Sequence, residues 1–173
     1  MHPTVEATWK MIAEATDGMS TGQLAQHPEG KWSSAEILEH LLMTYTGTSG
    51  ALRKALAKGA PTGGQPTLMD RVRQFAVVDL QFLPGGRKAP AGTVPKGLEP
   101  ASVLPAIEQA IKEMDSAISE CEGRFGRDVR IANHPVLGPL RAEQWRRFHM
   151  AHCRHHMKQV AALRGGLVQA VGA

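Results

Sequence analysis

Apolar side chains recur at steps of three and four along four segments of the chain, which is the spacing of amphipathic helices. The most regular run predicts a helix ending at Gly123, and its apolar positions are Leu104, Ile107, Ile111, Met114, Ile118 and Cys121. Shorter runs predict helices over about 3–16, 34–59 and 140–164. Because no segment alternates with period two for long, we expect an all-α fold, a four-helix bundle with one long crossover connection.

Residues with strong capping preferences mark several helix boundaries. Ser33 and Glu36 have the spacing of a capping box at the start of the second helix, and Gly59 is suited to its end. Gly165 and Gly166 are expected to close the last helix and to leave a frayed tail over 165–173.

The crossover is the most irregular part of the chain. Residues 59–100 contain seven glycines and six prolines, so we predict a long excursion with a helical turn or two at about 67–82. Loops of this length in a small domain are usually functional lids or disordered segments, and the sequence does not choose between the two.

The composition is that of an ordinary globular domain. Of the 173 residues, 42% are apolar and 21% charged, which argues against disorder, so we expect a single domain over 1–173. No run reaches the roughly 18 apolar residues of a membrane span, and the first residues lack the pattern of a secretory signal. We therefore expect a cytoplasmic protein with no membrane partner, and two cysteines, Cys121 and Cys153, suit that reducing compartment.

The net charge of +4 permits an acidic partner without requiring one. Aromatic residues make up only 5% of the chain, so stacking platforms for single-stranded nucleic acid are hard to build. A basic stripe on the last helix, formed by Arg147, Arg154 and Lys158, is most simply a solvated face. Nucleic-acid binding is a weak hypothesis that we do not expect to hold.

Histidines are the unusual feature of the composition. Four of the eight fall within eight consecutive positions of the last helix: His149, His152, His155 and His156. His152 and His156 are one turn apart and about 40° apart around the helix, on the same stripe as Trp145 and Phe148. Two imidazoles at this spacing can direct nitrogens to one ion at about 2.0–2.1 Å, as in zinc sites.

His40 is the best candidate for a third ligand. It lies on the inward stripe of the second helix, where an unpaired imidazole is costly to bury. A hydrogen-bonded core histidine is the alternative for His40 alone, but an inward pair with an inward third histidine favours a metal. Three histidines leave open positions for water or substrate.

Several neighbours have more than one interpretation. His149 and His155 flank the stripe by roughly 60° on either side, so each orients a ligand, lies at the boundary of the stripe or replaces a ligand. Gln159 is a further candidate for orienting a ligand. Glu39 either orients an imidazole or faces water, and Cys153 packs beside the site. His134, in the loop before the last helix, is a turn residue or reaches the site mouth.

The stretch KWSSAEILEHL at 31–41, the HPVLG at 134–138, Trp145, Phe148 and HCRHHMKQ at 152–159 together resemble the DinB-like superfamily. The resemblance is strongest over about 20–56 and 131–163. It implies an up-up-down-down four-helix bundle, often dimeric, so we expect a homodimer. It also implies a metal triad of His40, His152 and His156 holding nickel, zinc or iron.

The resemblance further implies a metal-dependent enzyme similar to the thiol S-transferases of that superfamily. Its partners would be a low-molecular-weight thiol and an electrophile, or water in a hydrolase-like reaction. No catalytic residue and no general base can be assigned from the sequence. The alternative is a non-catalytic, metal-stabilised binding module.

Overall fold

In a computed structural model the chain is mostly helical. The structure describes residues 1–27, 29–85 and 88–171, with side chains as far as Gly166. Its elements are α1 (Pro3–Thr16), α2 (Thr21–Ala25), α3 (Ser34–Lys58), α4 (Leu68–Gln74), a π-helical turn (Phe75–Asp79), a 3₁₀ turn (Ala91–Thr93), α5 (Pro100–Phe125), β1 (Ala132–His134), β2 (Gly138–Leu140) and α6 (Ala142–Val171). None of the helices in this described part is long and apolar enough to cross a membrane.

The four long helices α1, α3, α5 and α6 are those that the apolar periodicity predicts. α3 packs mainly on α5, and α1 mainly on α6. From the stripe of α5, Ile107, Ile111, Met114, Ile118 and Cys121 are fully buried. Burial of each large apolar side chain stabilises the fold by about 1.5–3 kcal/mol. The all-α class is thus confirmed, while the up-up-down-down order stays a prediction.

The boundaries of α3 confirm the capping prediction. Ser33 Oγ accepts a hydrogen bond from Glu36 N at 3.1 Å, and Ser33 N donates to the Glu36 carboxylate at 2.7 Å. At the other end Gly59 adopts the left-handed conformation, with φ of 72°. Such a residue ends a helix with little strain because it has no Cβ.

The predicted ends of the two later helices are wrong. α5 continues through Gly123 to Phe125, and Gly126, with φ of 98°, follows its last turn. α6 begins at Ala142 and continues through Gly165 and Gly166 to Val171, and fraying of the tail stays a prediction. Residues 172–173 lie outside the described range. A glycine costs a helix only about 1 kcal/mol, which does not stop one whose geometry is already set.

Several short elements were not predicted, among them the 3₁₀ turn Ala91–Thr93 in the crossover. The connection over 17–32 contains α2, and the loop before α6 is a β-hairpin in which Ala132 pairs with Leu140 and His134 with Gly138. Three-residue strands are too short to show a period-two pattern. β2 begins just after the turn at Gly138, with φ of 70°, where a Cβ would lie 2.5 Å from Asp70 Cγ.

The crossover between α3 and α5 is fastened to the rest of the molecule at both ends. Near its start, the backbone N–H groups of Thr62 and Gly63 donate to the carbonyl of Ile131, beside the hairpin. Near its end, the carboxylate of Glu39 on α3 accepts hydrogen bonds from three consecutive backbone N–H groups, those of Lys96, Gly97 and Leu98. The predicted helical turns at 67–82 are present as α4 and the π-helical turn.

Candidate metal centre

Three imidazoles meet between α3 and α6. His40 projects from α3, and His152 and His156 project from successive turns of α6. The Nε2 atom of His152 lies 3.1 Å from Nε2 of His40 and 3.0 Å from Nε2 of His156. All three side chains are buried, with 4–8% of their surface exposed. These are the three histidines that the sequence analysis singled out, and the structure brings them together.

Hydrogen bonds made by the Nδ1 atoms, which point away from the cluster, fix the tautomer of two of these rings. Nδ1–H of His40 donates to the carbonyl of Thr93 at 2.7 Å, and Nδ1–H of His156 donates to Oε1 of Gln159 at 2.7 Å. Both rings therefore present an Nε2 lone pair toward His152 when they are neutral. A single proton on Nε2 of His152 can satisfy only one of these two acceptors, which leaves an unpaired nitrogen in a buried cluster.

The spacing of the nitrogens fits one metal ion. Nitrogens held about 2.0–2.1 Å from the same ion lie about 2.9 Å apart at an octahedral angle and about 3.4 Å apart at a tetrahedral angle. The observed separations of 3.0 and 3.1 Å fall between these values. These three histidines can therefore hold a metal ion.

Burial keeps the ligand rings neutral. Desolvation lowers the pKa of His40 despite the hydrogen bond to Thr93, and it lowers the pKa of His152 well below the usual value. Burial also lowers the pKa of His156, to about 4. A neutral imidazole is the form that ligates a metal, so all three are ready to do so near neutral pH.

Aromatic rings surround the three histidines. The ring of Trp32 lies 5.4 Å from that of His40, centroid to centroid, and the ring of Phe148 stacks on His152 at 5.5 Å with an angle of 13°. Such rings exclude water from one side of the cluster and restrict rotation of the imidazoles. Nδ1 of His152 is buried without a hydrogen-bond partner in the described part of the chain.

The two flanking histidines differ in position. His149 is buried behind the cluster, where its Nε2 lies 3.0 Å from the hydroxyl of Thr48 and its ring lies beside Tyr45 and Trp145. His155 is half-buried, and its ring contacts that of His156 at 5.1 Å. Neither contributes a nitrogen to the cluster of three. Gln159, in contrast, contacts a cluster member directly through Nδ1 of His156.

Glu39 does neither of the two things that the sequence suggested. Its carboxylate is buried, and instead of an imidazole or water it binds the backbone N–H groups of residues 96–98 at 2.9–3.0 Å. Burial by itself would raise the pKa of Glu39, but these three donors hold it below the usual value. Cys153 is fully buried, and its thiol donates to the carbonyl of Thr8 on α1.

The cluster opens onto a large cavity. Its volume is about 1660 Å³, and its walls come from α3, the crossover, the hairpin and α6. Most of the lining is apolar or aromatic, including Met43, Val77, Leu83 and Leu163. Apart from histidines, the charged side chains among the described lining residues are Lys31 and Lys88. The cavity therefore suits a mainly apolar guest that is neutral or negatively charged.

A family comparison agrees with this arrangement. The family model for the DinB superfamily matches residues 4–160. The chain belongs to the DinB superfamily. Comparison with curated proteins and with solved structures gives no match. Membership confirms the resemblance seen in the sequence, and the residues matched include α3, α5 and the part of α6 that bears His152 and His156.

Proposed function

We propose that this DinB superfamily protein is a metal-dependent enzyme that activates a low-molecular-weight thiol, or water, for attack on an apolar electrophile. The observation that carries the proposal is the convergence of three buried imidazoles, with Nε2 of His40 and of His156 lying 3.1 and 3.0 Å from Nε2 of His152, at the wall of a cavity large enough for two small reactants. His40, His152 and His156 are the proposed ligands, and nickel, zinc and iron are the proposed occupants.

The chemistry supplied by a divalent ion bound there is to lower the pKa of a thiol or water, so that the nucleophilic form exists near neutral pH. The chain's own groups prepare the site for it. Thr93 and Gln159 accept the Nδ1 protons of His40 and His156, which fixes the tautomer and orientation of both rings. Trp32 and Phe148 exclude water from the cluster, and the apolar cavity wall holds the electrophile.

Metal analysis combined with His40→Ala tests the proposal. Purified protein, as isolated and after incubation with nickel, zinc or iron(II), is expected to hold about one equivalent of metal and to conjugate small thiols to a bromobimane. His40→Ala is expected to lose most of the metal. An ion present at 100 times its dissociation constant stabilises by about 2.7 kcal/mol, so we expect the melting temperature to fall by roughly 5–10 °C.

His155→Ala is the matched control, because His155 lies beside His156 and lines the same cavity but contributes no nitrogen to the cluster. It should keep its metal and its melting temperature. Loss of metal from His155→Ala together with full occupancy in His40→Ala would mean that the ligand set is misassigned. Absence of both metal and thiol conjugation in the unaltered protein would refute the proposal.

One observation favours a second candidate, a non-catalytic metal-stabilised binding module. No carboxylate occurs among the described residues that line the cavity, so neither aspartate nor glutamate is available there as a general base. A chelator should lower the melting temperature under either proposal. Only the enzyme has a thiol-conjugating turnover to lose, so turnover before and after chelation separates the two.

A further inference from the structure

His134 lies at the end of β1, and its ring is held by the turn that follows it. Nδ1 accepts hydrogen bonds from the backbone N–H groups of both Val136 and Leu137, each at 3.1 Å. A nitrogen that accepts two N–H donors cannot itself carry a proton without losing both bonds. The proton of the neutral ring is therefore fixed on Nε2.

Because the ring does not change its protonation state near neutral pH, its Nε2–H remains a hydrogen-bond donor. Burial lowers the pKa of His134 to about 4, so the ring stays neutral across the physiological range. Nε2 has no hydrogen-bond partner in the part of the chain that the structure describes, although the ring lines the cavity. A neutral imidazole fixed in one tautomer can polarise an oxygen through its N–H without carrying a charge.

The ring is also close to the metal centre. The His134 and Phe148 rings meet edge to face with centroids 4.4 Å apart, and the Phe148 ring also stacks on His152, with centroids 5.5 Å apart. One aromatic ring therefore separates His134 from a proposed metal ligand. His134 and His152 line the same cavity, so one molecule bound in it can approach both groups.

We propose that His134 binds the substrate by donating a hydrogen bond from Nε2–H to a carbonyl or carboxylate oxygen on an otherwise apolar molecule. This deepens the proposed function and rests on it in one respect, namely that the molecule is the electrophile of that reaction. Lys31 and Lys88, on the wall of the same cavity, make a carboxylate the acceptor that the site admits most readily.

The substitutions His134→Asn and His134→Ala separate the two roles of the ring. In His134→Asn, the side-chain oxygen can take the place of Nδ1 as acceptor for the turn, while the donor at Nε2 is lost. His134→Ala loses both and reports what the turn contributes to the melting temperature. We expect His134→Asn to melt within a few degrees of the unaltered protein and to keep its metal content.

The probe is 1-naphthoate, with 1-methylnaphthalene as the partner that lacks an acceptor. We expect His134→Asn to weaken naphthoate binding about tenfold in calorimetry or fluorescence titration, as loss of one hydrogen bond to a charged acceptor should. Binding of 1-methylnaphthalene should change less than about threefold. Naphthoate that binds both proteins equally, or binds neither at millimolar concentration, overturns the proposal.

Nitrogen NMR of histidine-labelled protein provides a test that requires neither metal nor turnover. At pH 7 the His134 ring should show a protonated Nε2 and an unprotonated Nδ1, and naphthoate should shift the Nε2–H resonance. The opposite tautomer, or no shift on naphthoate binding, overturns the assignment even if thiol conjugation is present. Conversely, failure of conjugation with the NMR result intact refutes the enzyme proposal and leaves His134 as a ligand-binding residue.

Discussion

Replacing Glu39 with glutamine should loosen the end of the crossover while leaving the helices intact. The carboxylate accepts the N–H of Lys96 through Oε1 and those of Gly97 and Leu98 through Oε2. An amide has only one acceptor oxygen, and its NH₂ group would face a backbone donor. At least one of the three hydrogen bonds is therefore lost, and the remaining ones become neutral.

The size of the effect follows from these bonds. A hydrogen bond to a charged group contributes about 1.5–3 kcal/mol and a neutral one about 1 kcal/mol. With only 6% of Glu39 exposed, water replaces little of what is lost. We expect the free energy of opening this segment to fall by about 2–3 kcal/mol, which is a roughly 30- to 150-fold increase in the open population.

Amide hydrogen exchange measured residue by residue is the suitable assay. In Glu39→Gln the amides of Lys96, Gly97 and Leu98 should exchange roughly 30 to 150 times faster than in the unaltered protein. Glu99→Gln is the matched control, because Glu99 is an exposed carboxylate at the end of the same segment whose side chain makes no capping hydrogen bond. Its effect on these amides should be less than about twofold.

Two results would refute this reasoning. If Glu39→Gln leaves the three amides as protected as before, the carboxylate does not hold the segment. If Glu99→Gln accelerates their exchange equally, the cause is loss of negative charge and not loss of the three hydrogen bonds. Core amides of α5 should remain protected in both variants, which shows that the change is local.

Two further predictions test packing elsewhere in the molecule. Gly63→Ala places a Cβ 2.5 Å from the carbonyl oxygen of Arg130, so we expect the free energy of unfolding to fall by about 1–3 kcal/mol and the melting temperature by roughly 2–12 °C. Gly64→Ala is the control, because a Cβ there meets nothing within 4 Å and the variant should melt as before. Equal melting temperatures for the two variants would contradict the contact. Burial raises the pKa of Cys121 to about 11 and of Cys153 to about 12, so both thiols stay protonated at pH 8. They should react with a disulfide reagent only after urea unfolds the chain. Prompt reaction of the folded protein would contradict their burial.

The features that the sequence predicts correctly are those with local or periodic signals. The capping box of Ser33 and Glu36 needs only three residues of separation, and the pairing of His152 with His156 needs only one helical turn. His40 was identifiable because its helix has a clear apolar stripe. In each case the geometry of a helix converts spacing along the chain into direction in space.

The features that the sequence did not predict depend on contacts between distant residues. The three partners of Glu39 are 57–59 positions away, so no pattern around Glu39 could indicate them. His134 was placed near a turn or the site mouth, but the two hydrogen bonds that hold its ring depend on a hairpin whose strands have only three residues each. The end of α5 was also misplaced, because in sequence a glycine within a packed helix, such as Gly123, looks the same as a glycine that ends one.

The orientation of His40 depends on the backbone of the crossover at position 93 and not on the side chain there. The acceptor for its Nδ1 is the backbone carbonyl of Thr93, so substitution of Thr93 leaves that acceptor in place, and only displacement of the turn removes it. Glu39, the residue before His40, fastens the chain three to five positions beyond Thr93. One turn of α3 thus both presents the ligand and fixes the segment that orients it. Glu39→Gln should consequently weaken metal binding about tenfold or more, as loss of ligand support usually does, although Glu39 touches none of the three imidazole nitrogens that form the cluster.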